Sequence, residues 1–513
     1  MIKIRTKHFL KNMKINLVFY FIIIILNFVS KSIFIKYLGA TINGVNSLLT
    51  SLISFLNVAE LGVGAAVGYS LYKPLNDNQW NEVENIMILF KYYYKKIAII
   101  ISVLGIILSI ILPFLIKGQI NLLSAYIYYF IYLLNCVLSY FFTYKQTLII
   151  ADQKQYKIAF ELNITKIIKI IAQCILLVIF KNFIIWLITE VLFNILGMYL
   201  ANKKIDKEYK NLLTWSSDEE IDEIKTENKL IGKNIGDIFF HKIGTFVVKQ
   251  TDAIVISIFS TLVETGIYAN YLLIINSLSG LVANTIGSVM PSIGNLIADE
   301  SREKSYKIFK RLYLLDNLIA LFLSVCLYFV IDKFILWWVG QEYIFSKYCV
   351  IALILNFYIE ISRGTIDRFK SGFGIFWDRM APVFESLVNL FMSVFLAYKL
   401  GIVGVFIGTI ISNFLIIQIW KPYIVFKEGF QMSIFKYINQ TVSIYLRNII
   451  IVIICNFIMK FIDAKFVGFN SFINLFLSGI SIFLVCCISI ISVYSFDKEF
   501  RNLIKVIILK LKR

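Results

Sequence analysis

Asp237, His241, Thr245, Lys249 and Asp252 fall at steps of four, four, four and three within residues 231–258, a stretch otherwise apolar enough to cross a bilayer. At 3.6 residues per turn that spacing puts all five on one narrow helix face. An ionisable group at mid-bilayer costs roughly 2.5–3.5 kcal/mol on insertion scales, so such a face requires a partner helix or a wet cavity. The chemistry available to it is binding and charge compensation: cations hold an anion, and carboxylates balance them or take up an ion. His241 can titrate near neutrality, but a satisfied polar core residue is the better reading of an isolated histidine.

Other stretches repeat the pattern. Asn16, Asn27, Ser30 and Lys31 share one side of a helix, as do Asn46, Thr50, Asn57, Glu60 and Gly64. Thr165, Lys166, Lys169 and Gln173 form a third stripe; Asn356, Glu360, Arg363 and Asp367 a fourth; Glu385, Asn389 and Ser393 a fifth. Lys31, Lys166, Lys169 and Lys249 outnumber nearby carboxylates at mid-depth, which suits an anionic ligand such as phosphate or diphosphate. The plainer alternative is interhelical glue, with Glu360 beside Arg363 and Lys249 beside Asp252 as neutral pairs.

The elements that position these stripes are membrane spans. The chain of 513 residues is 59% hydrophobic and 16% charged, against about 25% charged in soluble domains. Apolar runs such as residues 19–29 do not alternate as barrel strands do. The fold class is therefore all-α and polytopic. The first run, 15–38, lacks a small-residue cleavage site and reads as a true span. The net charge of +19 marks cytoplasmic loops rather than a nucleic-acid surface. The seven cysteines lie in or beside apolar stretches without zinc-ligand spacing, and no disulfides are expected. Neither a Walker loop nor a nucleophile elbow is present.

About fourteen spans are expected, near 15–38, 44–70, 96–116, 122–144, 157–180, 183–201, 233–259, 265–290, 312–331, 347–369, 378–398, 402–421, 441–462 and 472–495. Spans 3, 9, 13 and 14 read as the most uniformly apolar. With the N-terminus inside, about 37 Lys/Arg fall on cytoplasmic segments and about 7 on outer loops, which places both termini in the cytoplasm. A shift of 222 residues lays the first six spans on the next six, pairing Gly44 with Gly266 and Asn12 with Asn234. Six spans per half make a parallel repeat, with a binding site expected between the halves. The expected organisation is a lobe over 1–201, a cytoplasmic connection over 202–232, a second lobe over 233–421, two further spans within 422–495, and a basic amphipathic tail over 496–513.

Four stretches carry a resemblance: YLGATINGVNSLLTSLISFLNVAELGVGAAVGYSLYKPL, KQTDAIVISIFSTLVETGIYANYLLIINSL, MPSIGNLIADE and WDRMAPVFESLVNLFMSVFLAYKLGIVGVFIGTIIS. The chain resembles the bacterial polysaccharide (oligosaccharide-lipid, Wzx-type) flippases of the multidrug/oligosaccharidyl-lipid/polysaccharide exporter superfamily. The resemblance implies a multi-pass protein of the bacterial cytoplasmic membrane that moves undecaprenyl-diphosphate-linked oligosaccharide repeat units outward by alternating access, for O-antigen, capsule or similar polymers. It implies no enzyme activity and no resident cofactor. It also implies coupling to a Na+ or H+ gradient or to the membrane potential, with a polysaccharide polymerase as a partner. On this reading Lys31, Lys166, Lys169, Lys249, Arg363, Asn27 and Gln173 hold the diphosphate-sugar headgroup, and Glu60, Asp252, Glu360 and Asp237 balance charge or couple to an ion. The alternatives are a lipid II flippase, a multidrug/cation antiporter of the same superfamily and, further off, a membrane polysaccharide polymerase. The polymerase needs a sizeable outer loop with catalytic residues, and the longest here, near 332–346, has no convincing set.

Overall fold

A computed structural model describes residues 2–60, 63–209, 218–227, 250–286, 300–375 and 380–511 except 467, together with 247, 293, 294, 296, 297, 377 and 378. Side chains are described from residue 18 to residue 505, apart from scattered positions. The elements are helices throughout, with no strand among the described residues. In chain order they are α1 (Ile2–Leu56), α2 (Val63–Asn76), α3 (Trp80–Ser109), α4 (Leu112–Ile116), α5 (Leu122–Ala151), α6 (Tyr156–Phe180), α7 (Phe183–Glu208) and α8 (Asp218–Glu227). There follow α9 (Gln250–Phe259), α10 (Leu262–Ile286), α11 (Arg302–Trp338), α12 (Lys347–Gly372), α13 (Ala381–Leu400), α14 (Ile402–Phe430), α15 (Phe435–Ala464), α16 (Ser471–Tyr494) and α17 (Lys498–Leu511).

Twelve of the described helices are long and apolar enough to cross a membrane, so the chain is a multi-pass membrane protein. The first, Val18–Leu56, is 39 residues long. A straight helix of that length would run about 58 Å, twice the hydrocarbon thickness. It breaks at Gly39, where φ is 79° and ψ 176°, a region only glycine enters at low cost. Two expected spans therefore share this helix. The seventh expected span is described only at its end, as α9.

Boundaries move in instructive ways. The second span does not run unbroken to residue 70: a 3-10 turn over Asn57–Glu60 interrupts it before α2 begins. α3 starts at Trp80, well before the expected 96; its early turns already bury Val83, Ile86, Met87 and Phe90 in the core, while the polar residues between them hide the helix from a hydropathy pattern. α11 continues to Trp338. The outer connection expected over 332–346 shrinks accordingly, and leaves less room still for catalytic residues. Polar caps fix several starts. Asn121 accepts from the backbone of Leu123 and Ser124, Asn182 from Ile184 and Asn470 from Ile473.

The chain forms two compact units. The first comprises Met1–Leu273 with Pro382–Ser386 and the second Ile274–Ala381 with Leu387–Arg513. Phe34, Phe90, Tyr129 and Leu148 are buried in the first unit's core. In the second unit Phe309 packs against Phe369, Phe426 and Phe430 at centroid distances of 5.3, 5.4 and 5.2 Å. Outward positions such as Ile106, Phe114, Leu123 and Phe457 are large, apolar and exposed, as lipid contact requires. All seven cysteines are free thiols.

Candidate functional site

The first unit holds a cavity of about 360 Å³ lined by Ile53, Asn57, Glu60, Tyr132, Asn135, Cys136, Ser139, Tyr140, Thr143, Asn194 and Met198. Its walls come from three helical faces. Beyond Gly39, α1 and the following 3-10 turn present Ile53, Asn57 and Glu60, of which Asn57 and Glu60 belong to the stripe singled out in the sequence. α5 answers with Tyr132, Asn135, Cys136, Ser139, Tyr140 and Thr143, spaced three and one so that they share a face. α7 adds Asn194 and Met198.

Hydrogen bonds lock the two long faces together. Tyr132 Oη donates to Asn46 Oδ1. Asn57 Oδ1 accepts from Tyr140 Oη at 2.9 Å and from Cys136 Sγ at 3.0 Å. Tyr94 Oη of α3 donates to Glu60 Oε1. The Glu60 carboxylate thus sits on a polar wall, bonded to a phenol.

A second cluster joins α6 to α7. Lys169 Nζ lies 2.7 Å from Glu190 Oε1 and 3.3 Å from Asn194 Oδ1. Gln173 Nε2 donates to Glu190 Oε2 and to the Trp186 carbonyl, both at 3.1 Å. Asn194 Nδ2 donates to Asn135 Oδ1 at 3.3 Å. A chain of bonds therefore runs from Lys169 into the cavity wall. Glu190 was not singled out in the sequence. The signal was there: Glu190 and Asn194 stand four apart in an apolar span, as do Lys169 and Gln173.

The other expected site residues divide by surroundings. Arg363 pairs with Asp367 at 3.3 Å, and Lys421 reaches the same carboxylate at 2.9 Å; Glu360 is half-buried one turn earlier. Asp252 is buried and accepts from Tyr268 Oη at 3.3 Å. Asn27 is half-buried. Asp237, His241, Thr245 and Lys249 lie outside the described residues. Glu385 is 2% exposed, and one turn on Asn389 donates to Thr409 at 3.0 Å. Lys166 is exposed, within electrostatic reach of Lys169 and Glu190. Lys31 donates to Asn43 Oδ1 and sits 5.9 Å from the Phe34 ring. Among the described residues, neither Lys31 nor Lys166 forms an ion pair with a carboxylate.

The second unit corrects the reading of spans 9 and 13 as uniformly apolar. On α11, Asp316 is buried and bound by Thr365 Oγ1 at 2.6 Å and by the Arg368 guanidinium at 2.5 Å. Asn317 accepts from Tyr358 at 2.9 Å, Tyr358 from Asn448 at 3.0 Å, and Asn448 from Tyr494 at 2.8 Å. The line crosses α11, α12, α15 and α16. Tyrosine counts as apolar in a hydropathy pattern, which hides a phenol-linked network of this kind.

The lipid II flippase MurJ in an inward closed conformation superposes with a TM-score of 0.66 at 18% identity, over 95% of this chain and 99% of that one. The chain has the fold of this flippase. An inward-facing multidrug resistance MATE family transporter of the MOP superfamily follows, at TM-score 0.54 and 14% identity, over 80% of this chain and 97% of that one. A mutant of the Vibrio cholerae MATE transporter VcmN gives 0.52 and 12%, over 83% and 99%. These neighbours are flippases and transporters rather than enzymes. No protein-family model matches the chain, and neither does any curated protein.

Proposed function

We propose that this protein is a flippase for undecaprenyl-diphosphate-linked oligosaccharide units, carrying them from the inner to the outer leaflet of the bacterial cytoplasmic membrane for surface polysaccharide synthesis. The observation that carries the reading is Lys31: an ammonium inside a span, held by a neutral amide where Lys169 holds a carboxylate. A cation left without a counter-charge in a bilayer is costly unless an anion visits it. Lys166, exposed on α6 and in no direct ion pair among the described residues, supplies a second cation. The phosphates of a lipid-linked diphosphate supply the anion, and the sugars match the amide and phenol groups on the cavity wall.

In this reading the lobes are 1–201 and 233–421, joined by 202–232 and followed by the spans of 422–495 and the tail of 496–513. Both termini are cytoplasmic. Asn27, Gln173, Lys169, Lys249 and Arg363 complete the headgroup site. Glu60, Asp237, Asp252 and Glu360 balance charge or couple transport to Na+, H+ or the membrane potential. The MurJ likeness reaches 95% of the chain where the MATE likenesses reach 80% and 83%, which favours a lipid-linked cargo over a drug or cation. Lipid II differs from the proposed cargo in its sugar portion, and the diphosphate chemistry is common to both.

The test is genetic. In a strain whose surface polymer depends on this protein, Lys31→Gln and Lys166→Gln are each expected to lower polymer at least tenfold at unchanged membrane abundance, the cost of about one charge-assisted contact. Normal polymer from both variants contradicts the site. Normal polymer after deletion of the whole gene contradicts the function.

A further inference from the structure

Asn43 lies four residues beyond the Gly39 break, fully buried, and its amide is used on both sides. Oδ1 accepts from Lys31 Nζ. Nδ2 donates to the Gly266 carbonyl at 2.8 Å and to Asn270 Oδ1 at 3.1 Å, both on α10. Around it the backbones touch. A Cβ on Gly44 would lie 1.6 Å from the Leu262 carbonyl oxygen, and one on Gly266 would lie 2.6 Å from that of Ala40 and 2.9 Å from Gly44 N. The two glycines that the 222-residue shift pairs thus meet at this crossing. The neighbouring loop closes over it: Lys117 Nζ reaches the Ile258 and Ser260 carbonyls, and Gln119 Oε1 accepts from Leu262 N at 2.9 Å.

Resting on the anionic-headgroup reading above, we infer that Lys31 couples cargo binding to the α1–α10 latch: a diphosphate that takes the Lys31 ammonium removes it from Asn43 and so releases Asn43 from α10. The reasoning is one of competing acceptors. An ammonium bonded to a neutral amide oxygen transfers readily to a doubly charged oxyanion, because the oxyanion meets it with full opposite charge where the amide oxygen carries only a partial one. Asn43 Oδ1 is then a buried acceptor without a donor, which costs about 1–3 kcal/mol. Turning the amide to recover a partner breaks its bonds to Gly266 and Asn270. A ligand shifts an equilibrium only by its difference in affinity for the two states. That difference arises here, because the latched state spends Lys31 on Asn43 and the released state does not.

The experiment uses the purified full-length chain in detergent, with farnesyl diphosphate and inorganic pyrophosphate as probes. Hydrogen exchange over 262–270 reads the latch, and a dissociation constant reads binding. Saturating farnesyl diphosphate is expected to speed exchange over 262–270 about tenfold. Lys31→Gln, which keeps an amide donor for Asn43 but no charge, is expected to stay slow with or without probe. Asn43→Ala is expected to exchange fast without probe and, because coupling is reciprocal, to bind the probe about fivefold tighter; a merely structural Asn43 gives no gain in affinity. A response to farnesyl diphosphate alone assigns the trigger to the lipid-linked form, and a response to both probes assigns it to the diphosphate itself. Binding with unchanged exchange over 262–270, or an Asn43→Ala protein that binds no tighter, overturns the coupling and leaves the headgroup reading standing. Absence of binding to the unmodified chain overturns both.

Discussion

Lys31 and Lys169 are both lysines inside spans of the first unit, and their neighbours ask different things of them. Lys169 is bonded to Glu190, which is also bonded by Gln173. Replacing it with Ala leaves a carboxylate without its charge partner, and purified Lys169→Ala is expected to lose about 1–2 kcal/mol of stability in thermal unfolding. The double variant Lys169→Met with Glu190→Gln is expected to recover most of that loss; no recovery means the pair is not the unit of stability. Lys31→Gln removes no ion pair, and its unfolding midpoint is expected to stay near that of the unmodified chain. This division was only half legible in the sequence. Spacing put Lys31, Lys166 and Lys169 on helix faces. Whether each charge meets a carboxylate depends on which helices pack together, and single-chain periodicity does not carry that information. Glu190 and Asn43 were passed over for opposite reasons. Glu190 stood in a span with few other polar groups, and Asn43 lay in what read as a turn.

Helices were the most legible scale, because an apolar run of about twenty residues leaves the backbone no other way to satisfy its polar groups in lipid. What hydropathy misses is where a helix breaks without becoming polar. Gly39 breaks α1 through backbone freedom, and Asn57–Glu60 tightens to a 3-10 turn. The tight α1–α10 crossing gives a prediction at this scale. Gly44→Ala places a methyl against the Leu262 carbonyl and is expected to cost about 1–3 kcal/mol by overpacking, seen as a lowered unfolding midpoint with faster exchange over 262–270. An unchanged midpoint and exchange pattern contradicts that close approach.

The tail helix α17 gives another. Asp497 caps it, accepting from Glu499 N at 2.8 Å and Phe500 N at 3.0 Å, and is bonded to Arg447. Burial raises the Asp497 carboxyl, but the Arg447 bond and the backbone donors outweigh it and hold it below its usual 3.8. Glu499 behaves alike: burial raises it, and Arg311 and Lys310 draw it below its usual 4.5. A depressed carboxyl contributes stability above its ordinary value and loses it as pH falls through the folded one. Docking of α17 is therefore expected to hold from neutrality down to about pH 5 and to weaken below the ordinary values of these carboxyls. Distances between spin labels on Lys505→Cys and Lys307→Cys check this; a distance unchanged at pH 3 contradicts it.

For the whole molecule, the regular spacing of apolar runs pointed to a protein built from membrane helices, and the MurJ and MATE likenesses agree on that fold. Cargo is another matter, because side chains such as Asn57, Asn135 and Asn194 are of types common to many polar cavities. The phosphates give the sharper handle, since they require cations, and among the described residues Lys31 forms no ion pair with a carboxylate. The most direct measurement is translocation itself. Purified protein in liposomes is supplied with a fluorescent polyprenyl-diphosphate-linked oligosaccharide in the inner leaflet, and an external glycosidase reports arrival outside. Lipid-linked sugar is expected to become cleavable with the unmodified protein and to remain at least tenfold more protected with Lys31→Gln, the effect of losing about one charge-assisted contact. No translocation above empty liposomes, or Lys31→Gln moving cargo as fast as the unmodified chain, contradicts the account.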